Sequence, residues 1–301
     1  MYKINKNFKT IFKEKSKKFL KMLRNDFFKF LFKIFEIGCI FICLCLFFNW
    51  SNDNLIITED SYTNKNIPED FNNYKILQIS DFNNKKSLSK DLIKETQKIN
   101  PDVIVITGDY INSERSTQYN IDYSYFEQLA KNYPIYFVTG DQEHDNENYD
   151  IFKTKLEDLG IHILDNKSIE LTKNTSTINL IGMNDTSFFY ENLNAFNNKL
   201  KDLYNENNFS ILLSHRPDLI DIYTQDEIPL VLTGHALGGQ INLPFVGRLY
   251  SSNQGFYPDY TNGFYKQENT SMYVSRGIGN TFIPIRLFNR PEINVITLHN
   301  K

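Results

Sequence analysis

Five apolar runs of this 301-residue chain end in a carboxylate or an imidazole. YKILQIS (74–80) runs into Asp81, DVIVIT (102–107) into Gly108-Asp109, and PIYFVT (134–139) into Gly140-Asp141. SILLS (210–214) runs into His215, and PLVLT (229–233) into Gly234-His235. One aspartate after a strand is usually a turn former or a helix cap. Five such endings, all Asp or His, are hard to explain as caps. Oxygen and imidazole ligands converging on one rim are what a Zn, Mn or Fe ion requires. The glycines before Asp109, Asp141 and His235 permit a sharp turn out of each strand.

The elements that must position these residues have a regular layout. The runs named above, with INLIG (178–182), are short, apolar and rich in β-branched residues. Segments 88–99, 123–132, 152–159 and 194–204 repeat their apolar residues at helical spacing. Apolar strands alternating with amphipathic helices predict an α/β domain whose sheet is covered on both faces. In such domains ligands gather at the carboxyl ends of strands, where the Asp and His residues stand. After residue 240 the pattern changes to short strands with turns: INLPFVGRLY, SMYVSRG and EINVITLHN.

The formal charge of −3 averages two unlike regions. Residues 1–50 carry 11 basic and 3 acidic side chains; residues 51–301 carry 22 basic and 33 acidic. Cys39, Cys43 and Cys45 all lie in the basic head, so disulfides and Cys-ligated zinc are excluded from the body. Residues 37–48 contain no ionisable group except thiols, and extending the run back to Phe30 gives the length of a membrane helix. Lys29 and Lys33 suit a head-group region, and Trp50 an interfacial one. The organisation expected is a basic cytoplasmic segment (1–29), a membrane span (30–50), a polar tether (51–72) and one catalytic-type domain (73–301). The chain would then be a single-pass protein of the cell membrane, in contact with lipid through its helix. Its N-terminus would be cytoplasmic and its body outside. A cleaved signal peptide fits less well, since no small-x-small site follows the apolar run. The acidic body argues against a nucleic-acid partner.

With these residues in view, the chain resembles the calcineurin-like metallophosphoesterases, and most closely their membrane-associated bacterial branch. The resemblance rests on SDFN (80–83), GDY (108–110), GDQEH (140–144), SHRPD (214–218) and GHALGGQ (234–240), with a similar tail at 273–293. It implies a layered α/β/β/α sandwich preceded by the membrane helix, and two metal ions sharing one carboxylate. It further implies hydrolysis by metal-bound water of a phosphomonoester, a phosphodiester or a lipid or cell-wall pyrophosphate. On this likeness Asp109 is the shared carboxylate. Asp141, His215 and His235 complete one site, whereas Asp81 and Asn83 remain of the other. Four positions depart from the family pattern. Asn83 and Leu237 stand where His is usual, Asp141 where Asn is usual, and Gln142 where the His that assists the leaving group is usual. One strong site for Mn, Zn or Fe is therefore expected, the other being weak or empty. Weak hydrolysis of a phosphate-containing small molecule or lipid is one outcome. An inactive module that only binds or scaffolds is the other.

Overall fold

The computed structural model describes residues 6–113, 117, 119–251, 254–281 and 285–301. Residues 1–5 of the basic segment and 282–284 of the tail run lie outside the described residues. The chain divides into two compact units, residues 1–49 and 50–301.

One helix, α1 (Lys6–Asp53), accounts for the first unit and reaches four residues into the second. It is continuous through the predicted span and, by length and composition, apolar enough to cross a membrane. Phe35, Ile37, Phe41 and Leu46 are each about two-thirds exposed, a poor arrangement in water and a good one in hydrocarbon.

The body begins with β1 (Ile56–Thr63), β2 (Tyr74–Ile79), α2 (Ser89–Ile99), β3 (Val103–Thr107), α3 (Ser124–Leu129) and β4 (Ile135–Val138). Next come α4 (Asp141–His144), α5 (Tyr149–Asp158), β5 (His162–Ile163), β6 (Lys167–Lys173), β7 (Ser176–Gly182) and α6 (Leu193–Leu203). After β8 (Ser210–Leu213), α7 (Ile220–Gln225) and β9 (Leu230–Thr233) the chain is strand-rich, with β10 (Ile241–Leu243), β11 (Gly247–Ser251) and β12 (Gly255–Phe256). It ends in β13 (Gly263–Gln267), β14 (Thr270–Val274) and β15 (Glu292–His299).

Two six-stranded sheets, ordered β1-β15-β2-β3-β4-β5 and β13-β14-β9-β8-β7-β6, face one another, and a small sheet β10-β11-β12 stands apart. Strands β2 to β5 are parallel, as are β7, β8, β9 and β14. Ile76, Val105, Leu180, Ile211 and Leu232 meet in the layer between the sheets. Helices α2, α3 and α5 cover the outer face of the first sheet through Leu92, Phe126 and Phe152. Phe196, Leu200 and Tyr223 of α6 and α7 cover the second. This is the expected α/β/β/α sandwich.

One expectation is corrected. The polar segment 51–72 is not a tether: α1 runs to Asp53, and after two residues β1 pairs in parallel with β15 over its whole length. An edge strand buries only part of itself, so IITEDSYT needs few apolar residues. Its polar groups are placed instead: Asp60 accepts from Tyr273 Oη at 2.7 Å, and Thr58 Oγ1 donates to Glu292.

Candidate metal centre

The carboxyl ends of β2, β3, β4, β8 and β9 come to one rim, and each chain turns sharply there. Asp81, Asp109 and His235 adopt left-handed conformations with φ of 50°, 55° and 65°. Non-glycine residues pay about 1–3 kcal/mol for such a backbone, and these positions are over-determined by their neighbours. Gly108 is required: a Cβ there would lie 2.6 Å from His215 Nδ1 and 2.7 Å from the Gly140 nitrogen.

Asp109, Asp141, His215 and His235 converge, with one ligand atom of each within 4.8 Å of the others. His215 Nε2 lies 3.2 Å from both Asp109 Oδ2 and Asp141 Oδ1, and His235 Nδ1 lies 2.9 Å from Asp141 Oδ1. His215 Nδ1 donates to the Thr107 carbonyl at 2.7 Å, which leaves Nε2 as the atom facing the carboxylates. Asp109 Oδ2, Asp141 Oδ1 and His215 Nε2 are buried, yet none makes a well-formed hydrogen bond. Buried polar atoms aimed at a common point without hydrogen bonds are what a cation site presents. Two carboxylates and two imidazoles fit a single Zn, Mn or Fe ion.

The charges agree with that fit. Burial, reinforced by the charge of Asp141, holds the Asp109 carboxyl well above its ordinary range, against the pull of His215. Burial would raise Asp141 as well, but the close approach of the His215 and His235 imidazoles carries it well below. Burial would lower His215, and the carboxylates of Asp109 and Asp141 reverse this, so the imidazole holds its proton tightly. A cation must displace that proton. Affinity for Mn is therefore expected to fall as pH is lowered, with net proton release on binding. Calorimetric titration in two buffers of different ionisation enthalpy measures the release; a value of zero would contradict this assignment.

The remaining sequence-derived candidates lie on the same rim, most with hydrogen bonds of their own, while Asp81 Oδ1 is buried without one. Asp81 is buried, and its Oδ2 accepts from Ser80 Oγ at 2.6 Å and from the His235 amide at 3.1 Å. It therefore holds His235 by the backbone. Asn83 Oδ1 accepts from Asn112 Nδ2 at 3.2 Å, which engages the oxygen that a cation would need. Leu237 is fully buried, and its carbonyl accepts from Asn289 Nδ2 at 2.7 Å and Arg286 Nη1 at 3.4 Å. Gln142 Oε1 accepts from Ser113 Oγ at 2.8 Å while its Nε2 donates to Asp141 Oδ2 at 3.0 Å, a locked neutral amide. His144 pairs with Asp145 at 2.8 Å and packs edge-on against Phe188.

Two residues were missed as site elements. Glu143 is fully buried and accepts backbone N–H groups of Asp109 at 2.7 Å, Gly140 at 2.8 Å and Ile111 at 3.0 Å. It thereby ties the Asp109 turn to the Asp141 turn. Burial pushes its carboxyl up to about 7, although those N–H groups oppose the rise. The signal was present, since a Glu three residues after a glycine cap marks a capping box. Arg216 grips Asp185 through Nε at 2.8 Å and Nη2 at 2.9 Å. It also borders, with His235, Tyr257 and Tyr260, a cleft of about 460 Å³.

Comparison with known proteins gives concordant results. A family model described as calcineurin-like phosphoesterase matches residues 74–238. The uncharacterized metallophosphoesterase YkuE of Bacillus subtilis is 30% identical over 247 residues, covering 80% of this chain and 84% of that protein. The phosphodiesterase YaeI of Escherichia coli is 24% identical, covering 75% of this chain and 82% of its own length. A Bos taurus transmembrane protein with a metallophosphoesterase domain is 27% identical over 77% of this chain and 54% of its own length.

Proposed function

Because the chain belongs to the calcineurin-like phosphoesterase family, we propose that it is a membrane-anchored phosphoester hydrolase working with one divalent cation. The observation that carries this reading is the convergence of Asp109, Asp141, His215 and His235, with Asp109 Oδ2, Asp141 Oδ1 and His215 Nε2 buried and without well-formed hydrogen bonds. Manganese, zinc or iron held there would supply a Lewis acid and bring water toward ionisation near neutral pH. The membrane reading rests on the apolar helix and on the transmembrane relative, with the basic flank cytoplasmic and the body outside. Candidate substrates are a phosphomonoester, a phosphodiester or a lipid-linked or cell-wall pyrophosphate.

The chain's own groups define what such a centre can do. Arg216, anchored by Asp185, borders the cleft beside His235 and, among the described residues, uses only Nε and Nη2 in its hydrogen bonds. Its Nη1 group is therefore left to receive a phosphoryl oxygen. Gln142 has no proton to give and is held on Asp141, and His144 is engaged with Asp145. Gln142 therefore gives the leaving oxygen no proton, so leaving groups are expected to depart with little assistance from that position.

The test uses the full chain in detergent with Mn added. About one ion per chain is expected, together with turnover of an aryl phosphodiester that falls steeply as the leaving-group pKa rises. Flat leaving-group dependence would show that a general acid operates. The eroded positions Asn83, Leu237 and Gln142 favour a second reading, an inactive module that keeps one ion. Bound metal without turnover of any phosphoester would select it.

A further inference from the structure

We propose that the rim of the metal centre carries a second bilayer contact, so that the cleft opens onto the lipid surface and takes a phosphoester borne by an amphiphile. This rests on the membrane-anchored phosphoesterase reading above and adds where the site faces and what kind of molecule reaches it.

The body's chain starts on this rim. Ser51 Oγ donates to the Arg286 carbonyl at 2.7 Å, and Asn52 Oδ1 accepts from the Arg286 amide at 2.7 Å. Asp53 pairs with Lys85 at 2.8 Å, two residues beyond Asn83. The fully buried guanidinium of Arg286 donates in turn to the carbonyls of Leu237 and Gly279. The apolar run of α1 ends at Phe48, only two residues before Trp50. A bilayer holding the apolar run of α1 would thus lie only a few residues along the chain from the loops that wall the metal centre.

The same rim is apolar where it is exposed. The turn between β10 and β11 presents Phe245, whose side chain is fully exposed, and Val246. Phe256 and Tyr257, at the end of β12, are 71% and 68% exposed. Phe288 follows Leu287, which bridges to Ile241 of β10 and so joins this small sheet. Scattered apolar side chains on a surface need no explanation; several on one sheet of three short strands mark a contact. Phe256 and Tyr257 also line the cleft together with His235 and Arg216, so the cleft wall and the apolar surface are continuous.

The occupant is a lipid surface. Cations and aromatic rings mix at this rim, with Arg290 over the Trp50 ring at 5.3 Å and Lys85 close by, as in proteins that sit at the head-group layer. An anchor that holds the bilayer a few residues away raises its effective concentration, so a few aromatic side chains suffice.

The experiment uses the full chain in vesicles of phosphatidylcholine and phosphatidylglycerol, with Cys39, Cys43 and Cys45 replaced by Ser. An environment-sensitive fluorophore is attached through Phe245→Cys or, as control, through Asn207→Cys in the exposed loop that leads into the opposite end of β8. Quenching by spin-labelled lipid is expected to be several-fold stronger for Phe245→Cys; equal quenching at the two positions overturns the proposal. A protein partner at this surface would shield the fluorophore from water without lipid quenching, and that result overturns it as well. The pair Phe245→Ser and Val246→Ser is expected to lower turnover of a phosphoester lipid in the same vesicles about tenfold. Turnover of a water-soluble aryl phosphodiester should be unchanged, and parallel loss of both activities overturns the proposal. Preferential quenching with no turnover of either substrate by the unaltered chain would sink the phosphoesterase reading and leave the bilayer contact standing.

Discussion

Asp109→Asn is expected to abolish metal-dependent turnover and to weaken cation binding by well over about 100-fold, since losing mere supports of metal ligands already costs about 10–100-fold. Asp109 supplies one of only two carboxylates among the four convergent ligands. Asn keeps the shape and an oxygen able to accept the Gln142 amide, which Asp109 Oδ1 now accepts at 3.0 Å. The fold should therefore survive. The metal-free protein should in fact become more stable, because burial and Asp141 make the Asp109 charge costly. A gain of about 1 kcal/mol would raise the midpoint of a domain this size by about 2–4 °C. Thermal melts with and without Mn separate the two effects: the variant should melt higher without metal and gain nothing from it. A variant that melts lower in both conditions would show that Asp109 is held for structure and not for a cation.

Glu143→Ala carries the second large effect, and it falls on stability. Truncation leaves three buried backbone N–H groups, those of Asp109, Gly140 and Ile111, without an acceptor. Each unsatisfied donor costs about 1–3 kcal/mol, so a loss of about 3–5 kcal/mol is expected in urea unfolding of the metal-free chain. Glu143→Gln keeps one acceptor oxygen and should lose about half as much. The wild-type carboxyl also predicts a pH dependence. Its folded value is raised to about 7 from an ordinary 4.5, so the folded state binds the extra proton between those limits. Metal-free stability should therefore be greatest below about pH 4.5 as far as this group is concerned, and decline as pH rises toward 7. Asp109, shifted in the same direction by burial, contributes with the same sign. A shallower slope in Glu143→Gln, with the Asp109 part retained, would confirm the assignment, and an unchanged slope would reject it.

The parts of the fold that were legible in the sequence share one physical property. Strands β2, β3, β4, β8 and β9 are buried on both faces, so each reads as a continuous apolar run, and each ends at a residue that must face the rim. The edge strands were harder. IITEDSYT of β1 resembles a linker, and KSIELTK of β6 leaves only Leu171 buried. Within the site, the four convergent residues could be read because they act through their own side chains. Glu143 acts on backbone N–H groups, which no residue type encodes. Asn83 offers a carbonyl oxygen in the sequence, but that oxygen accepts from Asn112, a partner 29 positions away in another loop. Leu237 shows the same limit: a lost ligand is visible at once, whereas the use of its carbonyl by Asn289 and Arg286 is not.

The place of β15 in the first sheet bears on how the molecule is made. Strand β15 lies between β1 and β2, so the first two strands of the body are never direct neighbours. Their common partner lies more than two hundred residues downstream, at 292–299. During synthesis β1 and β2 leave the ribosome with nothing to pair with on their facing sides, and they wait for nearly the whole body. The loop closed by this late insertion is long, and pairing across such separations is slow. Open strand edges in waiting chains invite pairing with other chains. A chain halted before Glu292 would hold all four convergent ligands and still lack the strand that closes its sheet, which makes it a client for chaperones and proteases and not a smaller working domain.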